Sequence, residues 1–502
     1  MSRSSVFLYN SVSSAALYAI TLIAGFIIPR IMLTVYGSEI NGLVTSISQF
    51  IGYFNLVEAG LASSAVYALY KPLATKDNKG INSILSASRR FYNMSGYIFV
   101  SLVLGFALIY PAFIKSTSLT AIEIVILVLV IGCAGALEFF TMSKYRVLLT
   151  ADQKVYILSL ASICAVILST IIIAVMAAYK INIVAVRAVA LSAVFLRSFI
   201  LWFYVKQKYS NVDYYTAPNN DALKSRWDAL YLQLLGSVHS GAPVIIATFF
   251  TSLMAVSIYA IYNVVFGGIA GILSIAITGL FASFGDIIAR KEQHLLQQAY
   301  QEFELIYYML ITWVYACSFI LIMPFIRLYT KGVTDVNYDV PLIGMLFVVN
   351  GLMYNIKTPQ GMLVLSAGLF KETRLQTSIQ GLIAVICGIF FVQFWGLAGI
   401  LVGSILSNIY RDIDLLFFIP RKVTKLKVRK TFYRLYRIFI CFGIAVAPFQ
   451  FIVIEVANYA DWLKHALVIS VYVLIVVLLI NIVFDRKIFI SAARRFSAAI
   501  SR

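Results

Sequence analysis

The chain has 502 residues, 61% of them hydrophobic and 12% charged, with a mean hydropathy of +0.91. Soluble domains carry about 45–50% apolar and about 25% charged residues, so this composition excludes a large water-solvated enzyme and points to a chain solvated by lipid. Forty Lys and Arg against 21 Asp and Glu give a net charge of +19. The bases gather in a few connections between apolar stretches, which is the asymmetry of a multi-pass membrane protein and not of a nucleic-acid binder.

At about 20 residues per crossing the length admits roughly 12–16 spans, and the apolar runs predict fourteen. The first six cover 6–33, 40–68, 91–114, 121–145, 156–179 and 183–205. After a polar segment come 230–251, 254–284, 303–326, 340–363, 376–394 and 397–419, then 437–457 and 466–484. An even count puts both termini on one side, and the basic connections Lys71–Arg90 and Lys206–Asp228 make that side the cytoplasm. The opposite connections are short, the longest being RLYTKGVTDVNYD at 327–339. Residues 5–33 are too long for a cleaved signal and read as the first crossing. The basic tract RKVTKLKVRKTFYRLYR, 421–437, lies between two spans and reads as a contact with anionic lipid headgroups, with no nucleic acid involved.

Internal repetition is visible in two places. Ala59–Ser64 (AGLASS) aligns with Thr278–Ser283 (TGLFAS) at an offset of 219, and Leu149–Ala151 (LTA) with Leu365–Ala367 (LSA) at 216, followed by Lys154 and Lys371. Six spans per copy is an even number, so the fold class expected is an all-α polytopic membrane protein of two six-helix bundles related by a pseudo-two-fold along the membrane normal, plus two C-terminal helices. The domains are 1–228, 229–420 and 421–502.

A charge at a helix centre in hydrocarbon costs at least about 2.5–3.5 kcal/mol, so intramembrane charges should face protein or water. Arg30, Glu58, Glu138, Arg187, Arg197, Lys357, Arg411 and Asp412 all fall within spans. Arg30 and Arg187 lie near helix ends, where they either snorkel outward or join the others. Helical spacing sets several polar stripes: Asn41, Thr45, Ser48, Gly52 and Asn55; Glu138, Thr141 and Tyr145; Asn350, Tyr354, Lys357 and Gly361; Ser404, Asn408 and Arg411. Small polar stripes alone serve helix packing, as Gly399 and Gly403 would. A charge on the stripe favours a water-filled cavity, the alternative being a buried ion-pair lattice. At an offset of 214 Arg197 aligns with Arg411, and at 216 Lys357 aligns with Thr141, one turn from Glu138. The reading is a cationic central cavity in which Arg197, Lys357, Arg411, Arg30 and Arg187 meet substrate, and Glu58, Glu138 and Asp412 serve ion coupling or ion pairing.

Catalytic and metal signals are missing. His239, His294 and His465 are far apart, no HExxH, GxSxG or P-loop occurs, and the five cysteines sit in apolar spans as packing residues. The chain is therefore read as a non-enzyme with no cofactor beyond a coupling H⁺ or Na⁺.

Four segments carry a resemblance: LVEAGLASSAVYALYKPLATKDNKGIN (56–82), LLTADQKVYI (148–157), LYTKGVTDVNY (328–338) and SAGLFKETR (366–374). They resemble the Wzx-type oligosaccharide-lipid flippases of the multidrug/oligosaccharidyl-lipid/polysaccharide (MOP) transporter superfamily. The resemblance implies alternating-access translocation of an undecaprenyl-diphosphate-linked oligosaccharide repeat unit across the bacterial cytoplasmic membrane, for capsule, exopolysaccharide or O-antigen synthesis. It implies membrane lipids and the polysaccharide polymerase machinery as partners. The competing expectations are a cation-coupled multidrug exporter, a lipid II flippase and a non-transporting scaffold.

Overall fold

The computed structural model of the protein describes residues 3–500 apart from Gly60, Lys115, 220–240, Gly279 and Val453. The described residues are helices and their connections, and they fall into two compact units, Met1–Ile258 and Tyr259–Arg502. Ten helical stretches among them are long and apolar enough to cross a membrane, and Gly241–Phe250 and Leu280–Ala289 are shorter apolar helices. The protein is an all-α, multi-pass membrane protein.

The first unit begins with α1 (Arg3–Ile31), a π-turn over Met32–Tyr36 and α2 (Gly37–Phe54). The predicted span 40–68 is broken: a 3₁₀ turn covers Asn55–Glu58, Ala59 is extended, and α3 runs Leu61–Thr75. Next is α4 (Asn78–Phe113), so the predicted loop 71–90 is mostly helix with a sharp corner at Lys76–Asp77. Hydropathy reads only the lipid-crossing part of a helix, and the polar first turns of α4 escaped it. Then come α5 (Ala121–Leu137), a π-turn at Glu138–Met142, α6 (Ser143–Ala151), α7 (Val155–Ala178), α8 (Ile183–Lys208) and α9, described over Gly241–Phe250. The start of the predicted span 230–251, with His239, lies outside the described residues. The core is built from fully buried Leu43, Ile47, Leu61, Leu85, Phe99, Leu127 and Leu148. Ser46 ties helices together by accepting from Tyr110 Oη at 2.8 Å and Thr248 Oγ1 at 2.9 Å.

The boundary between units falls inside α10 (Leu253–Thr278), followed by α11 (Leu280–Ala289), α12 (Gln293–Tyr329), α13 (Pro341–Ile356), α14 (Thr358–Ser366), α15 (Phe370–Trp395) and α16 (Leu397–Ile419). The Gly399 and Gly403 reading holds: a Cβ at Gly399 would run into the Phe391 carbonyl and one at Gly403 into the Gly388 backbone, so α15 and α16 pack at backbone distance. The last pair is α17 (Val428–Val446) and α18 (Tyr459–Ile500). Helix α17 begins nearly three turns before the predicted 437, inside the basic tract. The pair packs on α12 through Ala316, Ala445, Val473 and Val477, with Trp313 Nε1 donating to the Ser470 carbonyl at 2.9 Å.

The repeat is written in the backbone more clearly than in the side chains. Left-handed residues recur at Lys76 and Lys291, at Gln153 and Gly368, and at Lys180 and Gly396. The turns around the first pair close through the same bonds, Asp77 N to Pro72 O and Glu292 N to Ile287 O, each 215 residues apart. The second corner does likewise, with Lys154 N to Leu149 O and Leu369 N to Val364 O. A positive φ costs a non-glycine residue roughly 1–2 kcal/mol, so its recurrence at offsets of 215 and 216, with glycine at two of the second-unit positions, marks the same turns in both units.

Candidate functional site

In the first unit the candidate charges are drawn together at two interruptions of regular helix. Glu58 ends the 3₁₀ turn between α2 and α3, and Glu138 opens the π-turn between α5 and α6. Arg146 on α6 reaches both: its Nη2 lies 2.7 and 2.8 Å from the two Glu58 carboxylate oxygens, and its Nη1 lies 3.5 Å from Glu138 Oε1. Arg197 on α8 closes the group at 3.6 Å from the same Glu138 oxygen. Two guanidinium groups thus face two carboxylates, with side chains 21–34% exposed. An ion pair at about 4 Å is worth ~4 kcal/mol at an effective dielectric of 20, which offsets most of the insertion cost of about 3 kcal/mol for each of its two charges.

Sequence spacing missed Arg146. On an uninterrupted helix the partner face of Glu138 recurs seven residues on, at Tyr145, but the π-turn inserts one residue and brings position 146 round instead. The other candidates of this unit stand apart. Arg187 on α8 neighbours the Tyr36 hydroxyl, which donates to the Ile181 carbonyl at 2.8 Å, and Arg187 Nε is buried without a hydrogen-bond partner among the described residues. Arg30 ends α1 half-buried, its carbonyl accepting from Thr34 Oγ1 at 2.9 Å. On α2, Asn41 Nδ2 donates to Ser257 Oγ at 2.8 Å, so that stripe serves helix contact at its first residue.

In the second unit the two predicted polar stripes meet each other. Lys357 caps the junction of α13 and α14, where Pro359 sits in the first turn of the new helix. Its Nζ donates to Asn408 Oδ1 at 2.5 Å and lies 4.7 Å from the Tyr354 ring, and Asn408 Nδ2 donates to Asn350 Oδ1 at 3.0 Å. Gln380 of α15 joins through a 3.4 Å bond to Asn408 Oδ1. Asp412 is the nearest opposite charge to Lys357, and both its oxygens are buried without a hydrogen-bond partner among the described residues. Arg411, 7% exposed, pairs with Asp414 at 2.5 Å one turn along α16.

Arg197 and Arg411 each sit beside a carboxylate, because an unpaired charge in a low-dielectric surrounding is far costlier than a paired one, whereas Lys357 is held by the Asn408 amide. Exposure separates Arg146 from Arg411: the Arg146 side chain is 28% exposed, whereas Arg411 is buried.

A third network was not foreseen. Arg434 and Arg437, inside the basic tract assigned to headgroups, point inward: Arg434 Nη1 binds Glu304 Oε2 at 2.6 Å with side chains 4% and 1% exposed, and Arg437 Nη2 binds Asp485 Oδ2 at 2.5 Å. Asp485 occupies the kink of α18, at φ −129° and ψ 38°. The aromatics of the tract, Phe432, Tyr433 and Tyr436, face outward, as interfacial rings do. All five thiols are free; Cys133 and Cys164 are exposed on helix surfaces and not packed inside as expected. No group of three metal-ligating side chains occurs among the described residues.

No family model and no curated protein matches the sequence. Solved structures do match in fold. An inward-facing multidrug resistance MATE-family transporter of the MOP superfamily superposes with a TM-score of 0.68 at 16% identity, over 84% of this chain and 95% of that one. The lipid II flippase MurJ in an inward closed conformation gives 0.69 at 14% identity, over 96% and 99%. A MOP-superfamily transporter from Pyrococcus furiosus, for which reverse polarity of the binding pocket suggests a different function, gives 0.55 at 16%, over 86% and 95%. The chain has the fold of the MOP transporters.

Proposed function

We propose that the protein is a flippase that turns an undecaprenyl-diphosphate-linked oligosaccharide repeat unit from the cytoplasmic to the external leaflet of a bacterial cytoplasmic membrane. The observation that carries this reading is the reach of the fold likeness: it extends over 96% of the chain for a flippase of a lipid-linked substrate and over 84% for the multidrug transporter. The charged groups are compatible with it. The Arg146–Arg197 cluster and the Lys357–Asn408 network each present cations with hydrogen-bonding neighbours, and a guanidinium can engage phosphate oxygens through paired N–H donors. Glu58, Glu138 and Asp412 are the acids available for H⁺ or Na⁺ coupling.

The reading of a multidrug exporter is favoured by one observation, the compensation of Arg197 by Glu138 and of Arg411 by Asp414, which lessens the repulsion that a lipophilic cation would otherwise meet. Deleting the protein decides between them in cells. The proposal requires a lipid-linked oligosaccharide to accumulate in the cytoplasmic leaflet, with lipid II processing unaffected. Accumulation of lipid II would transfer the assignment to a lipid II flippase, and sensitivity to lipophilic cations with no glycolipid build-up would transfer it to an exporter.

A further inference from the structure

On the first unit a cleft of about 320 Å³ opens between the π-turn with α6 and the side of α8, walled by Phe140, Thr141, Tyr145, Phe195, Phe199 and Trp202, with Lys144 at its head. Phe195 and Phe199 are more than half exposed and Trp202 is 41% exposed, so the cleft is open along the apolar flank of the helix. It lies toward the end of α8 where Lys206 and Lys208 fill the last turn, Lys206 lying 5.0 Å from the Trp202 ring. An indole with lysines beyond it marks the level of a membrane–water interface.

The head of the cleft carries positive charge that no described residue neutralises. Lys144 Nζ lies 5.0 Å from the Tyr145 ring and 5.5 Å from the Tyr214 ring, and Arg89 stacks at 3.8 Å on Tyr215, close enough to Lys144 to repel it. Among the described residues neither cation has a carboxylate partner. The neighbouring acids are occupied: Asp77 accepts from Gly80 N, Asp152 from Tyr209 Oη and Lys154, and Asp213 from Tyr215 N. The segment bearing Tyr214 and Tyr215 is fastened to α4 by Ser86 Oγ donating to the Thr216 carbonyl at 2.6 Å and Asn219 N donating to the Ser83 carbonyl at 3.1 Å. The Tyr214 and Thr216 hydroxyls are buried there without a hydrogen-bond partner among the described residues. Two unpaired cations, a buried unsatisfied phenol and an adjoining apolar trough are complementary to a phosphodiester headgroup with acyl chains.

We propose that this cleft is a binding site for an anionic glycerophospholipid, with the phosphate between Lys144 and Arg89 and the chains along Phe195, Phe199 and Trp202. The site is independent of the transported substrate and of its identity.

Trp202 provides the readout. Quenching by lipids brominated on their acyl chains is measured on the full-length protein and on its W202F form, and the difference isolates this tryptophan. A cation near a membrane surface contributes about fivefold to the affinity for an anionic lipid, so brominated phosphatidylglycerol should quench Trp202 at a mole fraction more than about tenfold below brominated phosphatidylcholine. K144Q should reduce that preference by about fivefold, and R89Q likewise. K144R should retain it, and size-exclusion profiles should show that all three fold. Equal quenching by the two lipids, or an unchanged preference in K144Q, would overturn the proposal. So would displacement by inorganic phosphate alone, which would make it a free-phosphate site, or by a stoichiometric polyprenyl diphosphate, which would make it a station for the transported lipid.

Discussion

Arg146 Nη2 sits 2.7 Å from one Glu58 oxygen and 2.8 Å from the other, joining the π-turned α5–α6 junction to the break between α2 and α3. Glu58 comes from a 3₁₀ turn and Arg146 from the helix that directly follows a π-turn, so the pair ties two local distortions together with one contact. Breaking a partly buried pair on one side leaves a charge with no partner.

Arg146→Ala should therefore leave Glu58 without a cation, and Glu138 with Arg197 alone, and lower stability by about 3 kcal/mol, toward the lower end of the range for buried pairs because the group is partly exposed. Arg146→Lys should recover part of the loss, and Arg146→Ala with Glu58→Gln should recover more than Arg146→Ala alone. Thermal unfolding monitored by fluorescence size-exclusion ranks the four proteins. An Arg146→Ala protein as stable as wild type would deny the clasp its structural role.

The enclosed pair Arg434–Glu304 should be less forgiving. Arg434→Ala strands a carboxylate that is 1% exposed, left to the neutral donors Thr431, Tyr300 and Gln360 among the described residues. A loss of about 3–5 kcal/mol is expected, seen as a fall in folded, membrane-inserted protein. Arg437→Ala, whose Asp485 partner is 24% exposed and keeps the Arg434 guanidinium at 3.5 Å, should cost less.

Much of the fold was legible because lipid imposes long apolar runs. Span 397–419 coincides with α16, which starts after the left-handed Gly396 and gives way at Pro420 to a π-turn running to Thr424. Where helices extend into water the reading failed: the first turns of α4 and α17 are polar or basic, and no hydropathy window separates them from loops. The sites were partly legible. The stripes through Asn350 and Lys357 and through Asn408 do meet, because straight helices preserve the spacing. Arg146 was hidden by the π-turn. Arg434 was hidden because its partner, Glu304, is 130 residues away, and a single sequence carries no sign of which distant acid a base will find.

Lys357 and Arg411 should separate by exposure. Arg411→Ala breaks a pair enclosed in α16, and protein abundance and translocation should fall together. Lys357→Ala removes the ammonium's hydrogen bond to Asn408 and the cation whose charge acts on Asp412. Lys357→Ala with Asp412→Asn should restore abundance without restoring translocation, if Lys357 meets substrate. Recovery of translocation along with abundance would make the lysine a tie and nothing more.

The proposed orientation, with both termini cytoplasmic, is checked with single cysteines at exposed positions, so that reactivity reports side and not burial. Cysteines at Ser118 and Asp335 should react with an impermeant thiol reagent added outside intact cells, and one at Asn78 should react only after permeabilisation. Asn220, a fourth useful position, lies outside the described residues. External labelling at Asn78 would invert the assignment.

The central claim is that the cargo is a lipid-linked oligosaccharide. Purified protein in sealed vesicles, loaded with a fluorescent undecaprenyl-diphosphate oligosaccharide, should move that lipid between leaflets at a rate well above empty vesicles, as read by the fraction that a membrane-impermeant quencher reaches. The account predicts translocation that a lipophilic cation neither replaces nor competes with. Vesicles that export the cation while leaving the glycolipid in its original leaflet would contradict it.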